Sequence, residues 1–246
     1  MSRYAPSHSI SYSFGPGPVT FAVKWIIIIN VASFVLTSTV GRAAFEYFGL
    51  IPELVVERGW IWQLVTYMFL HGGAMHILIN MLGIWMFGVE LERRWGTPFF
   101  IKYYAASGIG GGLTMLLVSL LPFAATAPAY VTPTVGASGA LFGLLLAFAI
   151  YYPERPILLL FVFVPARVFV MIYGGLALLN TFQPSRGIAD AAHLGGMIFG
   201  YIYLQGGRGG LVAEVKYRYL KWKMNRLRRK FDVYSGGRSD SKGRIH

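Results

Sequence analysis

Two residues far apart in this chain carry the side chains needed for nucleophilic catalysis, and both are predicted at the same depth in a membrane. Ser138 opens an apolar run that ends at Tyr152, about 21 Å away along a helix. His193 opens the last apolar run and lies about 22 Å from Arg208. Because a hydrocarbon core is about 30 Å thick, both side chains would lie inside it and need a partner. The sequence therefore predicts that the two residues meet.

The chemistry that a serine and a histidine can perform together is acyl transfer. Serine is a poor nucleophile until a base takes its proton, and a neutral imidazole can do so near pH 7. His76 and Asn80 share one helix face and are predicted at the depth of Ser138. With the Ser138 N–H they would supply oxyanion donors, each typically worth about 3–4 kcal/mol in a dry site. Gly136 and Gly139 would let the backbone approach closely around the serine.

These residues also have ordinary structural explanations. The sequence G-A-S-G-A at 136–140 is typical of helices that pack through small residues, where a serine bonds across the interface. His76 alone is more often a structural hydrogen-bonding residue. Asp190 could orient His193 as a third catalytic member, or it could be an acid at a helix N-terminus. A metal site that includes His71 would lack both H-E-x-x-H and a carboxylate at ligand spacing, so no metal is expected.

The amino-acid composition indicates the class of protein to which these residues belong. Of 246 residues, 55% are hydrophobic and 13% are charged, which is typical of a polytopic membrane protein. The absence of cysteine excludes disulfides, thiolate catalysis and cysteine-ligated metal. The net charge is +12, but residues 206–246 hold 12 Lys and Arg against 3 Asp and Glu. A basic tail after a last span indicates the cytoplasmic side and contact with anionic lipid, so no nucleic acid partner is expected.

Three regions are predicted: a disordered polar leader at residues 1–20, a membrane domain at 21–205 and the basic cytoplasmic tail at 206–246. Residues 41–70 are equally compatible with an interfacial structure and with an ordinary extracellular loop. The segment Ile157–Val164 is predicted to lie in the interface, because a span there would bury an arginine. The six predicted spans are Trp25–Val40, Met75–Val89, Phe99–Leu121, Ser138–Tyr152, Arg167–Thr181 and Asp190–Gln205.

Basic residues predict the orientation of these spans. Outer loops hold only Arg42, Arg58 and Arg186, whereas the other Lys and Arg residues fall on inner segments and the tail. Both termini are therefore predicted to be cytoplasmic, with Ser138 and His193 toward the outer leaflet. A bacterial inner membrane is expected from the short termini and the absence of organelle-targeting features.

In this order, the motifs of the chain resemble those of the rhomboid intramembrane serine proteases. Each piece is weak alone, whereas the joint pattern across residues 60–205 is highly specific. The resemblance implies an all-α membrane protein, a six-transmembrane-helix bundle with a membrane-associated first loop. The matching elements are Trp62-Gln63, H-x-x-x-x-H-x-x-x-N at His71, His76 and Asn80, E-R-R at Glu92–Arg94, G-A-S-G at Gly136–Gly139 and A-H-L-G-G-M-I-F-G at Ala192–Gly200.

The resemblance implies a role for each candidate catalytic residue. Ser138 would be the nucleophile and His193 the general base. The oxyanion hole would consist of the Ser138 N–H, His76 and Asn80. Family members work as a dyad, which argues against Asp190 as a third member, and no cofactor is implied.

Other elements would support the site. Gly196 and Gly200 would let the sixth helix pack tightly on the fourth, and the loop Phe182–Ile188 would cap the site and move for substrate entry. Two positions depart from the family pattern. The usual arginine after the loop tryptophan is Gln63, so the anchoring of the loop differs. The tyrosine often found four residues after the serine is Phe142, which can stack on the histidine but offers no hydroxyl.

The implied activity is that of an intramembrane serine endopeptidase, which cuts in or near a transmembrane segment of a membrane-protein substrate. By resemblance, such substrates need a small residue before the cut and a helix weak enough to unfold. Two other classes compete: a non-catalytic relative that binds membrane proteins for trafficking or turnover, and a channel or transporter. Retention of all four polar site residues argues against the first, and the absence of internal repeats and of paired intramembrane charges argues against the second.

Overall fold

Long apolar helices joined by short connections dominate the residues that this computed structural model describes, which are 15–123, 126–159, 162–181, 187–207, 220–224 and 226. A 3₁₀ turn covers Tyr67–Phe69, a π-helical segment covers Ile84–Gly88, and two strands are β1 (Pro156–Leu159) and β2 (Val162–Pro165). The helices are α1 (Phe21–Val40), α2 (Arg42–Phe48), α3 (Pro52–Arg58), α4 (Gln63–Thr66), α5 (Ala74–Gly83), α6 (Val89–Trp95), α7 (Thr97–Ser119), α8 (Ala127–Val131), α9 (Ser138–Tyr151), α10 (Ala166–Asn180) and α11 (Gly187–Gly207).

One compact unit comprises residues 1–204, and residues 205–246 form a second. Most of the predicted leader, cap loop and basic tail lies outside the described residues.

The outer surface of the first unit is strongly apolar. Met171, Leu179 and Met75 are 74%, 71% and 66% exposed. Large apolar side chains exposed to this extent are unfavourable in water and suit a lipid environment. By length and composition, α1 and the continuous helix Ala74–Trp95 qualify as membrane spans among the described residues, and α9 and α10 are shorter apolar helices. Helix length and composition alone therefore do not reproduce the expected six spans.

Helices α5 and α6 are continuous through the π-helical segment, and this helix runs beyond the predicted second span. Glu92, in its last turn, is buried and accepts hydrogen bonds from the backbone N–H groups of Ala22 (2.9 Å) and Val23 (3.0 Å). The hydroxyls of Thr20 and Thr97 also donate to this carboxylate. Because a carboxylate satisfies the orphan N–H groups of a helix start, Glu92 fixes the beginning of α1 against α6 and α7.

Residues 41–70 fold into short helices instead of an open loop. Gln63 is fully buried, where its Oε1 accepts from the Ile51 N–H (3.0 Å) and its Nε2 donates to the Glu46 carbonyl (2.8 Å). The Trp62 indole donates to the Tyr47 carbonyl (3.0 Å). The Gln63 amide therefore anchors the loop as both donor and acceptor. Since the rings of Tyr47 and Trp62 remain 56% and 42% exposed, the interfacial interpretation of this region is favoured.

A β-hairpin occupies the segment predicted simply to lie in the interface, so the all-α prediction is wrong there. Strands β1 and β2 pair antiparallel from Pro156↔Pro165 to Leu159↔Val162. The segment is too short to cross a bilayer, and half of its ten residues are β-branched or aromatic and lie between two prolines, which favours strands over a helix. Ile157 is buried, whereas Leu158 on the opposite face is 54% exposed.

Glycines bring the backbones of α7, α9 and α11 into direct contact. A Cβ built on Gly196 of α11 would lie 1.9 Å from the Gly139 carbonyl oxygen of α9. A Cβ on Gly111 of α7 would lie 2.6 Å from the Ala192 carbonyl oxygen of α11. Small residues at helix contacts permit this close approach inside a membrane.

Gly200 has a different neighbour from the one predicted. A Cβ there would lie 2.5 Å from the Tyr103 hydroxyl and 2.9 Å from the Ser107 hydroxyl, so Gly200 packs on α7 and not on the fourth predicted span. The Tyr103 hydroxyl in turn donates to the Gly143 carbonyl of α9 (2.6 Å). The physical reason is that the Tyr103 side chain lies between α7, α9 and α11. Only a glycine at position 200 leaves room for it.

The glycine contact gives a testable prediction. Gly196→Ala should lower the thermal unfolding midpoint of the purified protein in detergent, because the new Cβ would overlap the Gly139 carbonyl oxygen. Overpacking of this kind costs about 1–3 kcal/mol. Gly175→Ala in α10 is the matched control, since no heavy atom lies within 4 Å of its Cβ position. The control should be neutral or slightly stabilising, as alanine is the better helix former. Equal midpoints for the two variants would contradict the packing argument.

Candidate active site

The polypeptide reaches Ser138 through a segment that the first loop holds in place. The backbones of Leu50 and Thr134 exchange two hydrogen bonds of 2.9 Å, and the Gly136 N–H donates to the Tyr67 carbonyl (2.9 Å). Ser138 then begins α9. Its backbone N–H is one of the first four of a helix, which have no intrahelical acceptor. The nucleophile candidate therefore lies at a helix start, where N–H groups remain available for a ligand.

Gly136 is required for two separate reasons. Its φ of +127° lies in a region that side chains rarely adopt. A Cβ at this position would also lie 2.7 Å from His76 Nε2 and 3.6 Å from Ser138 Oγ. The glycine thus leaves room for the His76 ring beside the serine.

The side chains of Ser138 and His193 are within hydrogen-bonding distance. His193 Nε2 lies 2.8 Å from Ser138 Oγ, although the two residues are far apart in the chain. Helix α11 places the imidazole there, through the glycine contacts with α7 and α9 described above. Both side chains are partly buried, so they are shielded from bulk solvent without being sealed off.

The His193 ring is oriented mainly by a parallel stacking contact. Phe142, one turn after Ser138 on α9, has its ring centroid 4.1 Å from that of His193 and is inclined by only 2°. Tyr173 of α10 meets the Phe142 ring edge-on, with ring centroids 6.4 Å apart. Such contacts hold a ring plane without a charged partner.

Asp190 lies near His193 without a well-formed hydrogen bond. Its Oδ1 is 3.5 Å from His193 Nδ1, which is close enough for an electrostatic contact but beyond normal hydrogen-bond length. His193 Nδ1 is buried and lacks a hydrogen-bond partner among the described residues. The carboxylate is therefore a weak orienting group at most.

His76 and Asn80 lie one turn apart on α5. Asn80 is buried, and its Nδ2 has no partner in the described part of the chain. His71 is also buried, with both ring nitrogens unpartnered there, and meets the His76 ring edge-on at a centroid distance of 5.0 Å. Because an unsatisfied buried donor is costly, these groups are candidates for hydrogen bonds to water or to a ligand.

Tyr67 is a residue of the site that the sequence does not single out. Its hydroxyl donates to the Gly108 carbonyl (2.6 Å) and lies 3.1 Å from the position a Cβ on Gly139 would occupy. Its own carbonyl accepts from Gly136, so Tyr67 connects the first loop to α7 and α9. The sequence does contain one signal that could have identified it, which is a tyrosine among mostly apolar residues. A buried tyrosine hydroxyl needs a hydrogen-bond acceptor, so such a residue is expected to connect two elements.

This arrangement has the parts needed for acyl transfer: a hydroxyl paired with an imidazole, and unused donors beside them. Metal chemistry has no comparable arrangement in the described residues, where no group of three His, Asp or Glu side chains is placed to hold an ion.

Comparisons with known proteins indicate the family of the chain. A family profile described as the Rhomboid domain matches residues 58–207. RHOMBOID-like protein 12, mitochondrial, from Arabidopsis thaliana is 30% identical over 184 residues, 71% of this chain and 54% of that protein. Rhomboid protease GluP from Bacillus subtilis is 30% identical over 192 residues, 76% of this chain and 35% of that protein. Rhomboid protein 1, mitochondrial, from Saccharomyces cerevisiae is 37% identical over 137 residues, 55% of this chain and 38% of that protein.

The matched region covers only about a third to a half of these relatives. Two of them are named as mitochondrial and one comes from a bacterium. The comparisons therefore indicate an integral membrane protein and give no support to the bacterial inner membrane in particular.

The distance between Asp190 and His193 gives a prediction. Asp190→Asn should change the rate at which a fluorophosphonate labels Ser138 by less than about three-fold, because the Nδ1–Oδ1 contact of 3.5 Å is too long to be a strong hydrogen bond. His193→Ala is the reference variant and should abolish labelling. If Asp190→Asn lowered the labelling rate by a factor on the order of 10⁴, as in a catalytic triad, the carboxylate would be essential.

Proposed function

Because the chain belongs to the rhomboid family, an integral membrane family, we propose that it is an intramembrane serine endopeptidase with Ser138 and His193 as its catalytic dyad. The distance of 2.8 Å between His193 Nε2 and Ser138 Oγ is the observation that carries this proposal. Relatives named as proteases, such as Rhomboid protease GluP, support the reaction class.

Acylation begins when neutral His193 accepts the Ser138 proton at Nε2. The serine oxygen bonds to the carbonyl carbon of the scissile peptide, and the carbonyl oxygen becomes an oxyanion. His193 then donates this proton to the leaving amine as the C–N bond breaks. For this to work, Nδ1 must carry the other ring proton, and the stacked Phe142 keeps the ring in the plane that aims Nε2 at the serine.

The oxyanion would be stabilised by donors from two elements. The Ser138 N–H at the start of α9 lies where helix N–H groups favour negative charge. His76, beside Gly136, and Asn80, with its unpartnered Nδ2, would add side-chain donors. These groups are held in place before substrate arrives, so they need little reorganisation when charge develops.

Deacylation needs water at the same carbon. His193 takes a proton from water as the water oxygen bonds to the acyl carbon. The bond between this carbon and Ser138 Oγ then breaks, and His193 returns the proton to Ser138 Oγ, which restores the hydroxyl and releases the carboxylic acid product. Both dyad side chains are partly exposed, which supports the entry of water at the Ser138 end of the bundle.

The proposed topology has six spans: α1, Ala74–Trp95, α7, α9, α10 and α11. Arg93, Arg94, Arg155 and Arg167 lie at the end opposite Ser138, which supports a cytoplasmic location for that end and for both termini. Helix α9 is only about 21 Å long, so its first residue lies below the outer surface of a hydrocarbon core about 30 Å thick. The outer end of α9 therefore requires a polar cavity within the membrane.

The proposed substrates are membrane proteins cut in or near a transmembrane segment. A peptide must be extended to expose its carbonyl to Ser138, so helices with weak local structure are favoured. Binding of anionic lipid by the basic tail is a separate expectation. Neither the proposed cleavage nor the lipid binding requires a cofactor.

The nucleophile is tested by comparing wild type with Ser138→Ala in cleavage of a model transmembrane substrate by the purified protein. The substitution should reduce turnover by a factor on the order of 10⁴ or more, since no other group replaces the nucleophile. Ser38→Ala, which removes an exposed hydroxyl on α1, is the matched control and should keep full activity.

Fluorophosphonate labelling separates a protease with an unsuitable test substrate from a non-catalytic binding protein. Wild type should be labelled and Ser138→Ala should not. A folded wild-type protein that resists labelling would favour the binding protein.

The oxyanion hole is tested by Asn80→Ala. Losing one such donor should lower kcat about 10²- to 10³-fold, less than the loss of Ser138, with little change in KM. The thermal unfolding midpoint of the variant monitors its fold. Unchanged turnover in a folded variant would remove Asn80 from the oxyanion hole.

A further inference from the structure

A charged cavity lies at the end of the bundle opposite Ser138. It has a volume of about 510 Å³, and its lining includes Pro16, Glu90, Arg93, Arg94, Tyr152 and Arg155. Three arginines and one glutamate give this lining a net charge of +2. Helix α9 begins at Ser138 and ends beside the cavity, about 20 Å away, so this cavity is separate from the proposed catalytic site.

Each of the three guanidinium groups is held by a different contact. Arg93 donates to the backbone carbonyls of Pro16 and Pro18. Arg94 lies over the Tyr151 ring at 4.3 Å. A guanidinium carries five N–H donors, more than either of these contacts uses.

Arg155 is held by an ion pair. Its Nη2 lies 2.6 Å from Glu90 Oε1, and its carbonyl accepts a hydrogen bond from Ala166 at the base of the hairpin. The arginine thus connects α6, the end of α9 and the β-hairpin. The cavity is therefore lined by positive groups that are positioned before any ligand arrives, which lowers the entropic cost of binding.

We propose that this cavity binds a phosphoryl group, supplied by an anionic phospholipid of the cytoplasmic leaflet. Planar guanidinium groups match phosphate oxygens through paired hydrogen bonds, which suits arginine more than lysine. The cavity lies at the charged inner end of the predicted spans, at the level of the lipid headgroups. A bound phosphate would tie residues 16–18 to α6, α9 and the hairpin, and would stabilise the inner end of the bundle.

The binding test uses the purified full chain in detergent and three probes. Phosphatidylglycerol is compared with diacylglycerol of the same acyl chains, and inorganic phosphate is tested separately, with thermal unfolding and native mass spectrometry as readouts. Phosphatidylglycerol should bind and raise the unfolding midpoint, whereas diacylglycerol should bind at least ten-fold more weakly. The readouts do not involve proteolysis, so the result is independent of the proposed function.

Arg155→Gln should weaken phosphatidylglycerol binding about five-fold, the usual contribution of one basic side chain at an anionic surface. Arg167→Gln is the matched control. That arginine is also on the inner side, is 59% exposed against 56% for Arg155, and pairs with Glu154, but it does not line the cavity. Its substitution should leave binding unchanged.

Glu90→Gln provides a second variant in case Arg155→Gln does not fold. Removing this carboxylate from the lining should tighten phosphate binding, because it relieves like-charge repulsion. Equal weakening by Arg155→Gln and Arg167→Gln would overturn the proposal in favour of general surface charge, and so would equal binding of phosphatidylglycerol and diacylglycerol. Binding of inorganic phosphate that Arg155→Gln weakens, together with no binding of phosphatidylglycerol, would overturn the phospholipid as the source and leave a soluble phosphate as the ligand.

Discussion

The contact between the backbones of α7, α9 and α11 is the constraint on which the rest of the structure depends. Helix axes approach this closely only where no Cβ intervenes, and Gly111, Gly139 and Gly196 meet that condition. The same contact positions Ser138 at the start of α9 and His193 near the start of α11. A Cβ at Gly196 or at Gly111 would overlap a backbone carbonyl oxygen of the neighbouring helix, so a side chain there would push the helices apart. The distance of 2.8 Å between nucleophile and base is therefore a property of helix packing, not of the two side chains alone.

Buried polar groups provide the second level of organisation, and they divide into satisfied and unsatisfied groups. Glu92 and Gln63 are fully engaged, each accepting from or donating to backbone groups that fix a helix start or a loop. Asn80 Nδ2 and both nitrogens of His71 have no such partner in the described residues. Leaving donors unpaired costs stability, whereas the engaged groups stabilise a helix start and the first loop. Unpaired donors beside Ser138 are the ones that the proposed function would use.

Much of the site could be predicted from the sequence, because depth in a membrane is a one-dimensional quantity. Ser138 and His193 lie at nearly equal distances along their helices from Tyr152 and Arg208, and this equality of depth predicts that they meet. Contacts that depend on rotation about a helix axis could not be predicted in this way. Small residues do not specify their partner, so the sequence does not predict that Gly200 faces α7. The sequence does not predict the role of Tyr67 either, because the carbonyl that accepts from its hydroxyl lies on another element. The β-hairpin at 156–165 was missed because a short apolar run between prolines is compatible with several structures.

Helix α9 relates the two polar sites, since its ends differ in electrostatic character. Its N-terminus carries partial positive charge from unpaired N–H groups and is where the proposed oxyanion would form. Its C-terminus carries partial negative charge, and there Arg94 packs on Tyr151 and Arg155 lies close by. In a low-dielectric setting these dipole interactions are screened less than at a soluble protein surface. The orientation of this helix thus favours negative charge at its Ser138 end and a cluster of cations at its opposite end.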